Sequence, residues 1–212
     1  MRSILSAAKA GATATTTMIW LPGAYHSAGD FLHAGFTQAV FDRRIPLDLA
    51  FVDLEMQHLA DREALQQLRS EIVLPALASG TSVWLAGISL GGSLALEYAS
   101  SYLDGLAGLC LLAPYLGNRM LIAEIAAAGG LAGWEPGELA DADSERRIWR
   151  HFKTRAPSPS LYLGYGRDDR FSPAHSLLAR ALPADAIDVI DGGHDWRTWS
   201  KLWENFLDSH FK

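Results

Sequence analysis

Three residue types that together perform acyl chemistry stand at the ends of apolar runs in this chain. Ser89 lies in Gly87-Ile88-Ser89-Leu90-Gly91-Gly92, between the apolar run "TSVWLA" and the helix-like "SLALEYASSY". A Gly-x-Ser-x-Gly pattern joining a strand to a helix sets the serine hydroxyl in a strained turn at the edge of a sheet. Glycines on either side leave room where a side chain would collide, and the helix that follows directs its positive end at the serine. The backbone N–H of Leu90 is then free to bind an oxyanion. By itself the pattern is weak, because a Ser-Gly turn also serves packing alone.

A serine hydroxyl needs a base, and the base needs a group to orient it. Both types follow later in the chain. The run "LYLGYGRDDRFSP" ends in a turn carrying Asp168 and Asp169, and "IDVIDGGHDW" ends in His194. The order Ser, Asp, His matches that of a strand-end nucleophile with its partners on later strands. In this reading His194 takes the serine proton and passes it to the leaving group, while the carboxylate holds the ring tautomer. The alternative for His194 is a packing residue in a glycine turn.

These residues need elements to hold them. Strand-like runs "TTMIWLPG", "LDLAFVDLE", "TSVWLAGI", "LAGLCLLAPYL", "SLYLGYG" and "AIDVIDGG" alternate with segments of helical periodicity. Phe31, Leu32, Phe36, Val40 and Phe41 share a helical spacing, as do Leu65, Leu68, Ile72 and Leu74. The last segment puts Trp196, Trp199, Trp203, Phe206 and His210 on one face, with Asp195 as its N-cap. Near-continuous apolar strands alternating with helices predict an α/β domain, a mostly parallel sheet with helices on both faces. With 212 residues, one domain spanning 1–212 is expected. The stretch 118–158 holds no strand-like run and is expected to form a small helical cap near the carboxyl ends of the strands.

Composition narrows the function classes. The formal net charge is −6 and no Lys/Arg cluster stands out, which argues against a nucleic-acid partner. The single cysteine, Cys110, excludes an internal disulfide and a cysteine-rich metal site, and fits a cytoplasmic protein. Lys9 and Gly11 interrupt the N-terminal apolar stretch, so a signal peptide is not expected, nor is a membrane-spanning helix. The histidines at 26, 33, 58, 151, 175 and 210 show no metal-ligand spacing, and no G-x-G-x-x-G follows the first strand. Neither a metal nor a cofactor is expected.

The sequence resembles the α/β-hydrolase superfamily from about Thr15 to the C-terminus, through "LPGAYH", "GISLGG", "YGRDDRFSP" and "GGHDW". The ending "GGHDW" is similar to that of its esterase and feruloyl-esterase branches. The resemblance implies an α/β-hydrolase fold and places the acid three residues after the strand-ending glycine. Counted from Gly166 this is Asp169, with Pro173 four residues on, and Asp168 falls one residue off. It also implies a second oxyanion donor in the loop after the first strong strand. Related hydrolases have His-Gly where this chain has Pro22-Gly23, and the donor, being a backbone N–H, is assigned to Ala24 with Tyr25 as the alternative. Asp53 reads as a turn cap and Asp191 as a loop residue beside His194.

Tyr25, His26, Tyr115 and Trp134 are the candidate substrate-binding residues. Met120, Leu121 and Leu116 could add apolar surface to a pocket, although each also suits ordinary core packing. The expected activity is hydrolysis of small or medium carboxylic esters, or thioesters, with Ser89, His194 and Asp169 as the reacting set. The substrate is a small molecule. Other activities on the same fold stay open, among them acyl transfer, carbon–carbon bond hydrolysis and ligand binding without catalysis.

Overall fold

A computed structural model describes residues 2–6, 14–53, 62–102, 105–140, 143–154 and 160–211. Among the described residues the strands are β1 (Arg2–Ser6), β2 (Thr16–Leu21), β3 (Leu47–Asp53), β4 (Ser82–Ile88), β5 (Leu106–Leu112), β6 (Ser160–Gly166) and β7 (Ile187–Ile190). They lie in one sheet in the order β1-β3-β2-β4-β5-β6-β7. β1 runs antiparallel to β3, and every other neighbouring pair is parallel. β1 is thus an antiparallel edge strand beside β3.

The chain builds β3 on one side of β2 and then crosses to build β4 on the other. This reversal lies between β2 and β4, the place where an open parallel sheet parts its loops to form a crevice. Leu21 pairs with Gly87, so the loop after β2 and the turn holding Ser89 emerge side by side.

Both faces of the sheet are covered. Met18, Ile19, Trp20 and Leu21 on β2 are all fully buried, where a sheet with one wet face would alternate. On β4, side chains of opposite parity point to opposite faces. Trp84 meets Phe206 of the last helix, α9 (Trp196–His210), in an edge contact at 5.2 Å. Gly87 faces the other way, onto α5 (Leu90–Ser101). The α9 side carries an aromatic layer: Trp20 packs edge-on to Trp203 at 5.2 Å and to Phe36 at 5.0 Å. Asp195 caps α9 through the Thr198 N–H at 2.9 Å, as its position predicts.

Three helical readings are refined. The single helix expected around residues 30–44 is two, α1 (Ala28–His33) and α2 (Phe36–Arg43). Gly35 divides them, in a left-handed conformation at φ 81° that glycine adopts without steric cost. The helical stripe through Leu65 and Leu74 begins as α3 (Arg62–Gln67), widens to a π-type turn over Leu68–Val73, and ends as α4 (Leu74–Ala78). Within 118–158 lie α6 (Arg119–Ala127) and α7 (Ser144–Thr154). α7 is tied to α5 by the Arg147–Glu97 ion pair at 3.1 Å and to the turn after β5 by the Trp149 indole, which donates to the Leu116 carbonyl at 2.7 Å. After β6 comes α8 (Ser172–Ala179), and a 3-10 turn at Ala184–Ala186 leads into β7.

Candidate active site

Ser89 stands between β4 and α5 with φ 51° and ψ −112°, a conformation costly for any residue with a Cβ. The neighbouring glycines explain how the turn closes. A Cβ on Gly87 would lie 2.3 Å from the Gly91 backbone, and one on Gly91 would lie 2.1 Å from the Leu21 carbonyl oxygen. Three hydrogen bonds clamp the turn. The Ser89 N–H donates to Leu112 at 3.0 Å, and its carbonyl accepts from Ser93 at 3.1 Å and Tyr115 at 2.8 Å. Two more non-glycine residues with positive φ adjoin it: Tyr25 at 63° in the loop after β2, and Ala113 at 47° just after β5. Strain of this kind concentrates where a fold holds reacting groups.

Asp169 follows β6 and His194 follows β7. Their loops are stitched together by Arg167 N–H to the Ile190 carbonyl at 2.8 Å and Asp168 N–H to the Gly192 carbonyl at 2.9 Å. The Asp169 carboxylate is buried. Its Oδ1 accepts the Phe171 N–H at 2.8 Å, and its Oδ2 lies 2.6 Å from His194 Nδ1. His194 Nε2 lies 2.9 Å from Ser89 Oγ. An ionised carboxylate only accepts, so Nδ1 carries the proton and Nε2 presents its lone pair to the serine hydroxyl. Burial pushes the Asp169 pKa up, but the bonds from His194 and Phe171 outweigh it and hold the carboxyl below its ordinary value. The imidazole is also held by ring contacts, edge-on to Phe171 at 5.1 Å and to Trp199 at 5.0 Å. The other aspartates stand outside this chain of bonds. Asp168 is exposed, Asp191 pairs with Arg167 at 3.1 Å, and Asp188 accepts from Tyr162 and Asn205. Asp53 accepts the Ala28 N–H at 2.7 Å, a turn-capping role.

The loop after β2 lies against the serine: a Cβ on Gly23 would stand 3.5 Å from the Ser89 Cβ. Among the described residues, the backbone N–H groups of Leu90 and Ala24 donate to no partner. Tyr25 projects outward, 90% exposed. His26 is half-buried, with its ring 5.1 Å from Trp196 and 5.7 Å from Trp199, and burial lowers its pKa.

A cleft of about 770 Å³ opens between α6 and α8; Ser89, Asp169 and His194 do not line it, and it adjoins them through Tyr115, whose N–H donates to the Ser89 carbonyl, and Phe171, whose ring packs on His194. Of the candidate substrate-binding residues, Tyr115 lines the cleft and Tyr25, His26 and Trp134 do not. Trp134 is buried, with its indole donating to Glu124 at 2.7 Å, and Leu116 and Leu121 are core residues. Met120 points outward at 82% exposure. The cleft wall comes instead from α8 and the turn before it, including Phe171 and Leu177. Sequence reasoning also missed His175. This histidine is fully buried under the site, and its Nε2 donates to the Pro114 carbonyl at 2.8 Å. Its ring packs on Tyr165 at 5.0 Å and its Nδ1 has no partner. Burial pushes its pKa down to about 4. Its place six residues after Asp169, on the buried side of α8, was the only signal. Among the described residues no group of His, Cys, Asp and Glu could hold a metal ion, and no helix is long and apolar enough to cross a membrane.

No family model matches the chain. A curated relative, the acetyl esterase of Caldicellulosiruptor saccharolyticus, is 25% identical over 165 residues, covering 69% of this chain and 60% of that protein. The chain thus spans about 60% of the length of the curated relative it matches. Among solved structures, Est1E from Butyrivibrio proteoclasticus superposes with a TM-score of 0.65 at 15% identity, over 98% of this chain and 93% of that one. The S-formylglutathione hydrolase FrmB from Staphylococcus aureus gives 0.62 at 15% identity, over 93% and 81%. A ferulic acid esterase gives 0.63 at 15% identity, over 93% and 84%. With the sheet order and the turn at Ser89, these likenesses establish that the chain has the α/β-hydrolase fold.

Proposed function

We propose that this protein is a serine hydrolase that cleaves small or medium carboxylic esters, or thioesters, through an acyl-enzyme. The observation that carries this reading is the unbroken hydrogen-bonded chain from Asp169 through His194 to Ser89, ending on a strained turn. Ser89 Oγ attacks the acyl carbon as His194 Nε2 takes its proton, and Asp169 stabilises the imidazolium. The N–H groups of Leu90 and Ala24 receive the oxyanion, a contribution worth about 10²–10³ in kcat per donor. His194 then protonates the departing alcohol or thiol. In the second half, water attacks the acyl-enzyme, His194 accepts its proton, and the acid leaves with Ser89 restored.

Names borne by similar proteins agree with this reading. The curated relative is an acetyl esterase, and the similar structures include a ferulic acid esterase and S-formylglutathione hydrolases. Within the single domain, the connection 118–158 is read as a small cap, supported by the way α6 walls the cleft beside Tyr115. A cytoplasmic site of action is supported by the single, unpaired cysteine, which is buried in β5.

The test is a panel of p-nitrophenyl esters and acyl thioesters of increasing chain length, run on the wild type and Ser89→Ala. The reading expects release of the free acid by the wild type, with activity in the variant lower by about 10⁴–10⁶. Equal turnover in the variant would remove Ser89 from the mechanism. Products bearing an added alcohol in place of water would move the reading to acyl transfer.

A further inference from the structure

The cleft between α6 and α8 has an unusual charge pattern. Three arginines line it: Arg119 at the first turn of α6, Arg170 in the turn after Asp169, and Arg180 at the end of α8. No Asp or Glu lines it. One carboxylate bonded to its wall is Glu145, which accepts from the Tyr115 hydroxyl at 2.9 Å and the Asn118 side chain at 2.7 Å. The chain as a whole has 24 acidic and 18 basic residues, so a cleft lined by three arginines runs against its overall balance. Elsewhere Arg43, Arg146, Arg147 and Arg167 each pair with a carboxylate. Among the described residues, Arg119, Arg170 and Arg180 pair with none, as do Arg44, Arg150 and Arg197; what sets the three apart is that they line one cleft.

Helix stability does not account for them all. Arg180 suits the negative end of α8. Arg119, in contrast, opens α6 at the end where the helix dipole is already positive, a placement that works against the helix. The guanidinium of Arg170 is held over the Phe171 ring at 4.8 Å. Phe171 in turn touches His194 and lies 5.7 Å from the Tyr115 ring. Two aromatic rings, Tyr115 and Phe171, thus connect the cleft to the reacting residues, and apolar side chains such as Leu177 and the three arginines are also among its lining. The guanidinium fork matches carboxylate and phosphate oxygens in pairs of hydrogen bonds.

We propose that this cleft selects esters or thioesters bearing an anionic group, carboxylate or phosphate, separated from the scissile bond by an apolar spacer. The proposal rests on the reading of Ser89 as the nucleophile and adds the substrate class. The spacer lies along Tyr115, Phe171 and Leu177, and the anion meets Arg119, Arg170 and Arg180.

Binding is measured by calorimetry in the Ser89→Ala background, so that no ligand is consumed. The probes are monomethyl suberate, heptyl phosphate and the neutral dimethyl suberate. At least one anion is expected to bind roughly tenfold more tightly than the neutral diester, with the advantage shrinking as salt is added. The added triple change R119Q/R170Q/R180Q is expected to abolish the advantage, and R180Q alone to reduce it. The arginines are exposed, so each change should alter stability little, and a melting curve checks this. Equal binding of all three probes, or an anion preference that survives the triple change, overturns the proposal. Hydrolysis of p-nitrophenyl acetate by the wild type reports separately on Ser89, so failure of the ester reading and failure of the anion reading are told apart.

Discussion

The Oδ2 of Asp169 and the Nδ1 of His194 lie 2.6 Å apart, whereas Asp168, the adjacent residue, points its carboxylate at solvent. A one-residue step in the turn after β6 thus decides which carboxylate faces the imidazole. Asp169→Asn replaces a pure acceptor with a group that can also donate, which favours the tautomer with Nε2 protonated and turned against the serine. It should lower kcat by about 10⁴. Asp168→Asn should change kcat less than threefold, as expected for an exposed side chain outside the hydrogen-bonded chain. The reverse ranking in steady-state kinetics would transfer the acid role to Asp168.

The strain at Ser89 predicts opposite effects on stability and activity. Its φ of 51° penalises any Cβ, and glycine removes that penalty. Ser89→Gly should abolish ester hydrolysis yet raise stability over Ser89→Ala by about 1 kcal/mol. Urea unfolding of the two variants measures the difference. A less stable glycine variant would mean that the turn stores no strain.

The glycines beside Ser89 predict a steric cost. Gly91→Ala sets a methyl group 2.1 Å from the Leu21 carbonyl oxygen, so β2 and α5 must part. The expected loss is about 1–3 kcal/mol or more, with activity falling as the oxyanion loop shifts. Gly129→Ala is the control for the cost of a positive φ alone: that glycine has φ 81° and open space around it. Denaturation midpoints that rank Gly129→Ala as the more damaging change would contradict the packing account.

His175 predicts how stability varies with pH. Its folded pKa is about 4, below the ordinary 6.5, because burial disfavours the charged ring. Between these values the unfolded chain binds the extra proton and the folded chain does not. Its contribution is therefore complete above pH 6.5 and lost as pH falls toward 4, up to about 3 kcal/mol over the window. The depressed pKa of Asp169 acts in the same direction, but below its ordinary value of 3.8. His175→Gln should flatten the stability profile between pH 6.5 and 4. Unchanged slopes for the two proteins in chemical denaturation across that window would contradict a neutral buried imidazole.

The parts of the site legible in the sequence are those that short stretches determine. Ser89 was readable because the glycines around it answer a local collision, and His194 because a strand, a Gly-Gly pair and a capped helix bracket it. The continuous burial of β2 and the aromatic stripe of α9 were readable from residue type and spacing. The cleft was not. Trp134 is an aromatic in the right segment, but tertiary packing turned its indole to Glu124 and buried it. The cleft's actual wall depends on how α8 lies against α6, and no local pattern encodes that pairing. The division of α1 from α2 at Gly35 was hidden because apolar spacing continues across the break. Nothing in the local pattern marks His175, because its partner, the Pro114 carbonyl, is brought to it only by tertiary packing.

The central claim is that Ser89 is an activated nucleophile. Intact-mass spectrometry of the protein after treatment with a fluorophosphonate, followed by peptide mapping, tests it most directly. The account predicts a single adduct on the peptide containing Ser89, present in the wild type, absent in Ser89→Ala and greatly slowed in His194→Gln. Folded wild-type protein that forms no adduct, or an adduct that persists on Ser89→Ala, would contradict it.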